Sequence, residues 1–170
     1  FWNGRSGVLV YRRFRVPQVF SYGCRDMEYS LSLQLAALRE SMKYACDITN
    51  FLEPWYGIGT IPGAFGADYV WNENQAPAVK PPFKSLDDLR PVEESATGKH
   101  TLEMIEYFLE KTKGKIPVSM TDTQSPLNIA AQLLDISTLF CEIYDNPDDY
   151  KKLLGVLSDL LIGFSEKQRE

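Results

Sequence analysis

At 170 residues, 44% hydrophobic and 24% charged, the chain has the length of one domain with its own core and a globular composition, which excludes disordered and fibrous classes. Its net charge of −5 argues against nucleic acid as a main partner, because neutralising phosphates takes an excess of Lys and Arg on one face. No apolar run of about 18 residues is present, which excludes a membrane-spanning helix, and no basic stretch leads into an apolar one at the start.

Residues 1–15 form a lead-in segment in which Arg5, Arg12, Arg13 and Arg15 lie among aromatics. An anion-binding arm is one reading; a solvated strand or arm is the plainer one. Residues 16–22 read as a first strand, with Pro17 near its start, where a missing N–H does least harm, and Gly23 at its end. Over 27–46, apolar residues at 27, 31, 35, 38, 42 and 45 follow steps of four and three. That spacing predicts a helix whose stripe is buried. Residues 47–52 form a second strand. The stretch 53–63, with Pro54, Gly57, Gly59, Pro62 and Gly63, is a long loop without regular structure.

Segments 67–71 and 76–79 flank Asn72 to Gln75 as a small hairpin, closed by Pro81 and Pro82. Ser85 and Asp88 have capping-box spacing at a short helix that Pro91 stops. Leu102, Ile105, Phe108 and Leu109 mark the next helix, with Gly114 as its left-handed stop. Residues 115–120 are a third strand, and Thr121 to Gln124 its exit loop. Ser125 and Pro126 then start a helix, as N-cap and first-turn proline. Asn146, Pro147, Asp148 and Asp149 repeat that logic, with carboxylates suited to a positive helix end. The helix they open buries Tyr150, Leu153, Leu154, Leu157, Leu160, Leu161 and Phe164.

Strands alternating with amphipathic helices place the chain in the α/β class, with a parallel sheet of right-handed βα units. About three such units plus a hairpin leave both sheet edges open, and a closed (β/α)8 TIM barrel takes about 250 residues. The chain opens on Phe1 and closes on Glu170 in a helical pattern. Residues 16–170 are therefore expected to be the N-terminal part of a barrel domain that is incomplete at its C-terminus. Alone, this part is expected to be inactive and to self-associate through its apolar edge. A doubly wound sheet would carry a Gly-rich phosphate turn after the first strand, and Tyr22-Gly23-Cys24-Arg25-Asp26 is not one.

In such barrels the reacting groups sit on loops leaving the C-terminal ends of strands. That rule selects Tyr22, Cys24, Arg25 and Asp26 after strand one, Glu53, Trp55 and Tyr56 after strand two, and Thr121, Asp122 and Gln124 after strand three. Arg25 offers a planar, permanently charged fork for a substrate carboxylate, or it pairs on the surface with Asp26 or Glu28. Glu53 and Asp122 suit general acid/base work or the holding of a pyrrole or amine N–H. Plainer readings are a helix or loop contact for Glu53 and an ordinary loop position for Asp122. Trp55, Tyr56 and Phe65 either line an aromatic pocket or cover the barrel mouth. His100, the one histidine, reads as an exposed residue before a helix. Cys24, Cys46 and Cys141 are odd in number and scattered, which fits reduced thiols in a cytoplasm. With one histidine they make no zinc site of standard spacing, and Cys24 has no base nearby in sequence.

Several segments together resemble the uroporphyrinogen decarboxylase superfamily. Thr121-Asp122-Thr123-Gln124-Ser125-Pro126-Leu127-Asn128 resembles its strand-three exit. The apolar stretch 139–144 followed by Asn146-Pro147-Asp148 is similar to its "D-P-E" pattern. Pro62-Gly63-Ala64-Phe65-Gly66-Ala67, with Ala76-Pro77 and Pro81-Pro82, resembles the segment after its second strand. The resemblance runs from about residue 16 onward and implies a (β/α)8 barrel. It also implies either a cofactor-free decarboxylase of tetrapyrrole (porphyrin) biosynthesis or a zinc methyltransferase moving a methyl group between a corrinoid and a thiol. A catalytically silent binding barrel is a third reading.

On this resemblance Arg25 matches the second of two carboxylate-binding arginines, with Ser21 in the place of the first. Glu53 lies near the family's pyrrole-binding aspartate, and Gln132 stands where the family has a tyrosine. The implied site comprises Glu53 and Asp122 as catalytic groups, with Tyr22, Arg25, Tyr56, Gln124 and Gln132 binding substrate. Zinc ligands of the methyltransferases, a His-x-Cys and a later Cys, belong to the barrel's second half. Implied partners are a small-molecule substrate and a second copy or a corrinoid protein, with no nucleic acid or membrane.

Overall fold

The computed structural model describes residues 7, 10, 11, 16, 21–72, 76–88 and 95–170. Most of the lead-in segment and of the expected first strand lies outside the described residues. Tyr22, expected to end that strand, instead opens a 3-10 turn, Tyr22–Arg25. Asp26 follows the turn and caps helix α1 (Met27–Ser41), its carboxylate accepting from the Tyr29 N–H at 2.9 Å. The helix ends at Ser41 and not at Cys46. There the Ser41 hydroxyl turns back onto the Leu38 carbonyl, and the next N–H groups close tight turns onto Glu40 and Ser41. The apolar stripe is accordingly buried only at its start: Leu31 is in the core, whereas Leu35 and Met42 are exposed.

The second and third expected strands meet in parallel, but at a single bridge, Leu52 to Val118. The Leu52 N–H donates to the Pro117 carbonyl at 2.8 Å, and the Ser119 N–H donates to the Leu52 carbonyl at 2.8 Å. Pro117 has no N–H with which to extend a ladder. Parallel pairing puts the two exits, after Leu52 and after Val118, at the same end. A second parallel bridge joins Phe83 to Leu134.

The predicted hairpin is present as β1 (Tyr69–Val70) and β2 (Ala78–Val79), antiparallel, with Tyr69 opposite Val79. The stretch 53–63 is more ordered than its glycines and prolines predict, holding a 3-10 turn at Gly57–Gly59 and the start of another at Pro62–Phe65. Gly59 has a steric reason: a Cβ there would meet Val79 at 2.6 Å and Tyr69 at 2.7 Å, so its absence lets the turn pack on the hairpin. Half of the predicted capping box forms, the Ser85 N–H donating to the Asp88 carboxylate at 3.3 Å over the turn Leu86–Asp88. Pro91 lies outside the described residues.

Helix α2 (Ala96–Thr112) starts on Ser95, whose hydroxyl accepts from the Gly98 N–H at 3.2 Å. It stops through two left-handed residues, Lys113 at φ 55° and the expected Gly114 at φ 65°. Helix α3 (Pro126–Leu133) starts on Ser125 as predicted, and α4 (Ile136–Asp145) on Asp135, which accepts from the Ser137 and Thr138 N–H groups. In α5 (Pro147–Lys167) the proline and both aspartates sit in the first turn. Asn146 does not cap with its side chain; its Nδ2 donates to Glu142 at 2.6 Å.

Two cores result. In one, α3, α4 and α5 close over the Pro62–Phe65 turn through Ile61, Phe65, Ile129, Leu133, Leu139 and Leu157. The predicted face of α5 supplies Leu153 and Leu157 to the buried core, with Tyr150, Leu154, Leu160, Leu161 and Phe164 packed partly buried beside them. In the other, Leu31 of α1 and Met104 and Phe108 of α2 enclose Leu52 and Tyr56. Each such large apolar side chain contributes about 1.5–3 kcal/mol by leaving water. No helix among the described residues is long and apolar enough to cross a membrane.

Candidate active site

At the strand-two exit the chain is held by its backbone. Gln34, on α1, accepts from the Glu53 N–H at 2.7 Å and donates to the Glu53 carbonyl at 3.0 Å. Its amide thus stands in for a neighbouring strand, and Ser30 Oγ takes the remaining Nε2 proton at 3.1 Å. Glu53 itself is half-buried.

Three residues on, Tyr56 is buried, and its hydroxyl hydrogen-bonds to His100 Nδ1, with the rings edge to face at 5.4 Å. Burial first, and then the neighbouring Cys24, push the Tyr56 phenol above its ordinary value, while the Arg25 charge opposes them. Tyr56 therefore keeps its proton. His100 is not an exposed residue before a helix. Because α2 begins at Ala96, His100 falls inside it, half-buried, on the side that meets Tyr56.

Near the first exit, the guanidinium carbon of Arg25 lies 5.6 Å from the centre of the Trp71 ring. Trp71 in turn lies against Tyr69, ring centres 5.4 Å apart. Cation–π contact of this kind orients the guanidinium over the ring. Cys24 is 1% exposed, and burial pushes its thiol up to about 12. A nucleophilic thiolate needs the opposite shift. Tyr22 contributes the first residue of the 3-10 turn; its side chain lies outside the described residues. Phe65 packs in the core under α3 and α5 while Tyr56 packs in the core between α1 and α2, so these two rings belong to separate cores.

At the strand-three exit a side chain is held. Both Asp122 carboxylate oxygens accept from Gln124 Nε2, at 2.7 and 2.8 Å, and one also accepts from the Gln124 N–H at 3.2 Å. Gln124 is pinned by Asn128, whose Nδ2 donates to its Oε1 at 3.0 Å. Gln124 has φ 56°, a left-handed backbone that a non-glycine residue adopts at a cost. Just before it, the Thr121 N–H donates to Gln168 Oε1 at 2.8 Å. Ser119 Oγ, Thr121 Oγ1 and Gln132 Oε1 are buried with no hydrogen-bond partner among the described residues. Buried polar atoms of that kind call for a water or a ligand group.

Of the residues expected from sequence, Asp122 and Gln124 thus meet directly, and Arg25 lies close enough to Tyr56 for its charge to be felt there. Glu53 and Asp122 leave paired strands at one end. Gln132 stands on α3, half-buried. Gln34, His100 and Gln168 act through residues that only folding brings near. Asn128, four residues from Gln124, is the one whose spacing was legible.

Over residues 4–170 the sequence matches the family described as "Uroporphyrinogen decarboxylase (URO-D)". The chain belongs to the uroporphyrinogen decarboxylase family. A uroporphyrinogen decarboxylase from Aeromonas salmonicida (strain A449) is 25% identical over 155 residues, spanning 85% of this chain and 41% of that protein. A methyltransferase from Methanosarcina mazei has a similar fold, with TM-score 0.70 and 15% identity, over 92% of this chain and 48% of that one. The chain thus spans less than half the length of either relative.

Proposed function

We propose that the intact protein removes carboxylate groups from a tetrapyrrole of the uroporphyrinogen class, with the strand-three exit as its reacting end. One observation carries this reading: the Asp122 carboxylate is fixed on both oxygens by Gln124, a non-glycine residue at φ 56°. Backbone of that kind costs about 1–3 kcal/mol and, away from helix C-caps such as Lys113, clusters at functional sites. Asp122 is in no ion pair among the described residues, so its charge is available to a substrate.

Loss of CO2 leaves an electron pair on the carbon that carried it. A pyrrole ring that has taken up a proton accepts that pair, and a carboxylate fixed at its N–H groups stabilises the cationic ring where charge develops. The carbon that lost CO2 then takes up a proton and the ring releases the one it gained, so hydrogen replaces the carboxylate. The electron sink is the substrate's own ring, so this chemistry needs no cofactor. Arg25, oriented by Trp71, would hold a substrate carboxylate. Gln132 Oε1 offers an unused buried acceptor, and Tyr22 and Gln124 complete the binding set. Tyr56, already bonded to His100, would act by fixing the strand-two loop, with Glu53 as a second carboxylate at the same end. The named A. salmonicida relative supports the reading.

The test is anaerobic incubation of full-length protein with uroporphyrinogen. Products with fewer carboxylates are expected, and unchanged substrate would refute the proposal. Zinc-dependent methyl transfer from a corrinoid to a thiol is the other reading the family allows. No three His, Cys, Asp or Glu side chains converge among the described residues, and Cys24 is held as a buried thiol. The zinc ligands that the resemblance implies belong to the barrel's second half, so these residues do not decide that reading.

A further inference from the structure

A cleft of about 440 Å3 opens between the first turns of α2 and the second half of α5. Its lining includes none of Arg25, Glu53, Asp122 or Gln124, so it is separate from the proposed reacting end. The walls are apolar, with Ile61, Leu102, Leu160 and Phe164 facing the space and Val156 at an exposed edge. Gly98 and Gly163 widen it by having no side chains. The volume is in the range of small-molecule sites, whose usual make-up is an apolar wall with a few polar groups at fixed places.

The polar groups here have a sign. Lys99 and Lys167 line the cleft against one carboxylate, Asp159. Neither lysine is in an ion pair among the described residues. The cleft also borders the N-terminal end of α2, where the helix dipole is positive. We propose that this cleft is a binding site for a small amphipathic carboxylate, its apolar body on Leu102, Leu160 and Phe164 and its anionic head toward Lys99 and Lys167. A tetrapyrrole with many carboxylates would not suit it, because the wall offers nothing polar beyond the two lysines, the aspartate and hydroxyls of Ser95 and Thr60.

Calorimetric titration of full-length protein with sodium decanoate, below micelle formation and at low salt, tests the site. Saturable one-to-one binding is expected, with decyltrimethylammonium binding at least about tenfold more weakly. Gly163→Leu should fold, since a Cβ at Gly163 meets nothing within 4 Å and leucine favours a helix interior over glycine. It should weaken decanoate at least about tenfold by filling the space. Gly155→Leu, on the same helix but off the cleft, should leave binding unchanged. Should Gly163→Leu not fold, Lys99→Glu combined with Lys167→Glu, both on exposed side chains, is expected to weaken decanoate to the same degree. No saturable decanoate binding, equal binding of the cation, or full binding by folded Gly163→Leu would each overturn the proposal.

Discussion

The loops that leave the two paired strands are fixed by opposite means. After Leu52, the Gln34 amide holds the main chain of Glu53 on both sides, and the next anchor, Tyr56, is buried against His100. After Val118, the main chain bends through a left-handed residue, and what is held is the Asp122 carboxylate, gripped by Gln124 and backed by Asn128. Saturated backbone and a buried aromatic anchor make the first loop a piece of the core. The second instead presents an oriented anion, near buried polar atoms with no hydrogen-bond partner among the described residues. Two acidic residues that leave paired segments at the same end therefore need not have equivalent roles.

The contrast can be broken at its largest effect by Gln124→Gly. Glycine relieves the positive φ, worth about 1 kcal/mol, and loses hydrogen bonds of about the same value, so melting should hardly change. Decarboxylation by the full-length protein should nonetheless fall by at least about tenfold, because the carboxylate is no longer aimed. A variant that melts lower and retains its rate would reverse the assignment.

The strand-two loop should answer in stability instead. Gln34→Leu strips the partners from both Glu53 backbone groups and should cost about 2 kcal/mol in denaturant unfolding, with little change in rate at saturating substrate. Smaller still is the Tyr56–His100 pair. A double-mutant cycle of Tyr56→Phe with His100→Leu should return a coupling of about 1 kcal/mol, and zero coupling would mean that the contact does no structural work.

The smallest effect concerns pH. Unfolded Cys24 ionises near its ordinary 9.0, whereas in the fold burial raises it to about 12. Below 9 the two states bind the same proton. Between those values the unfolded chain alone releases it, so stability falls as pH rises. Cys24→Ala should flatten that alkaline loss, and peptide mapping after alkylation near neutrality should find Cys141 modified and Cys24 not, as their exposures require.

Local signals were legible in the sequence because they act within a turn or two. The Ser125–Pro126 start, the Ser85 and Asp88 pairing and the hairpin about Asn72 all appear where spacing puts them. The parallel meeting of the second and third strands was legible from alternation, but its reduction to one bridge was not, since Pro117 matters only once Leu52 is its neighbour. Spacing likewise extended α1 to Cys46, past the point where its stripe has anything to pack against. Tyr56 and His100 stand 44 positions apart, and Gln34 and Glu53 stand 19 apart. No periodicity reports such pairs. The loop residues Asp122 and Gln124 were picked by the barrel rule alone; their mutual grip came from the left-handed φ, which residue type does not disclose.

The most direct test sets two conservative variants of the full-length protein side by side in uroporphyrinogen decarboxylation. Asp122→Asn should lower kcat by about a hundredfold or more, while Glu53→Gln stays within about threefold of the parent. An unchanged rate in Asp122→Asn, or a collapse confined to Glu53→Gln, would contradict the account.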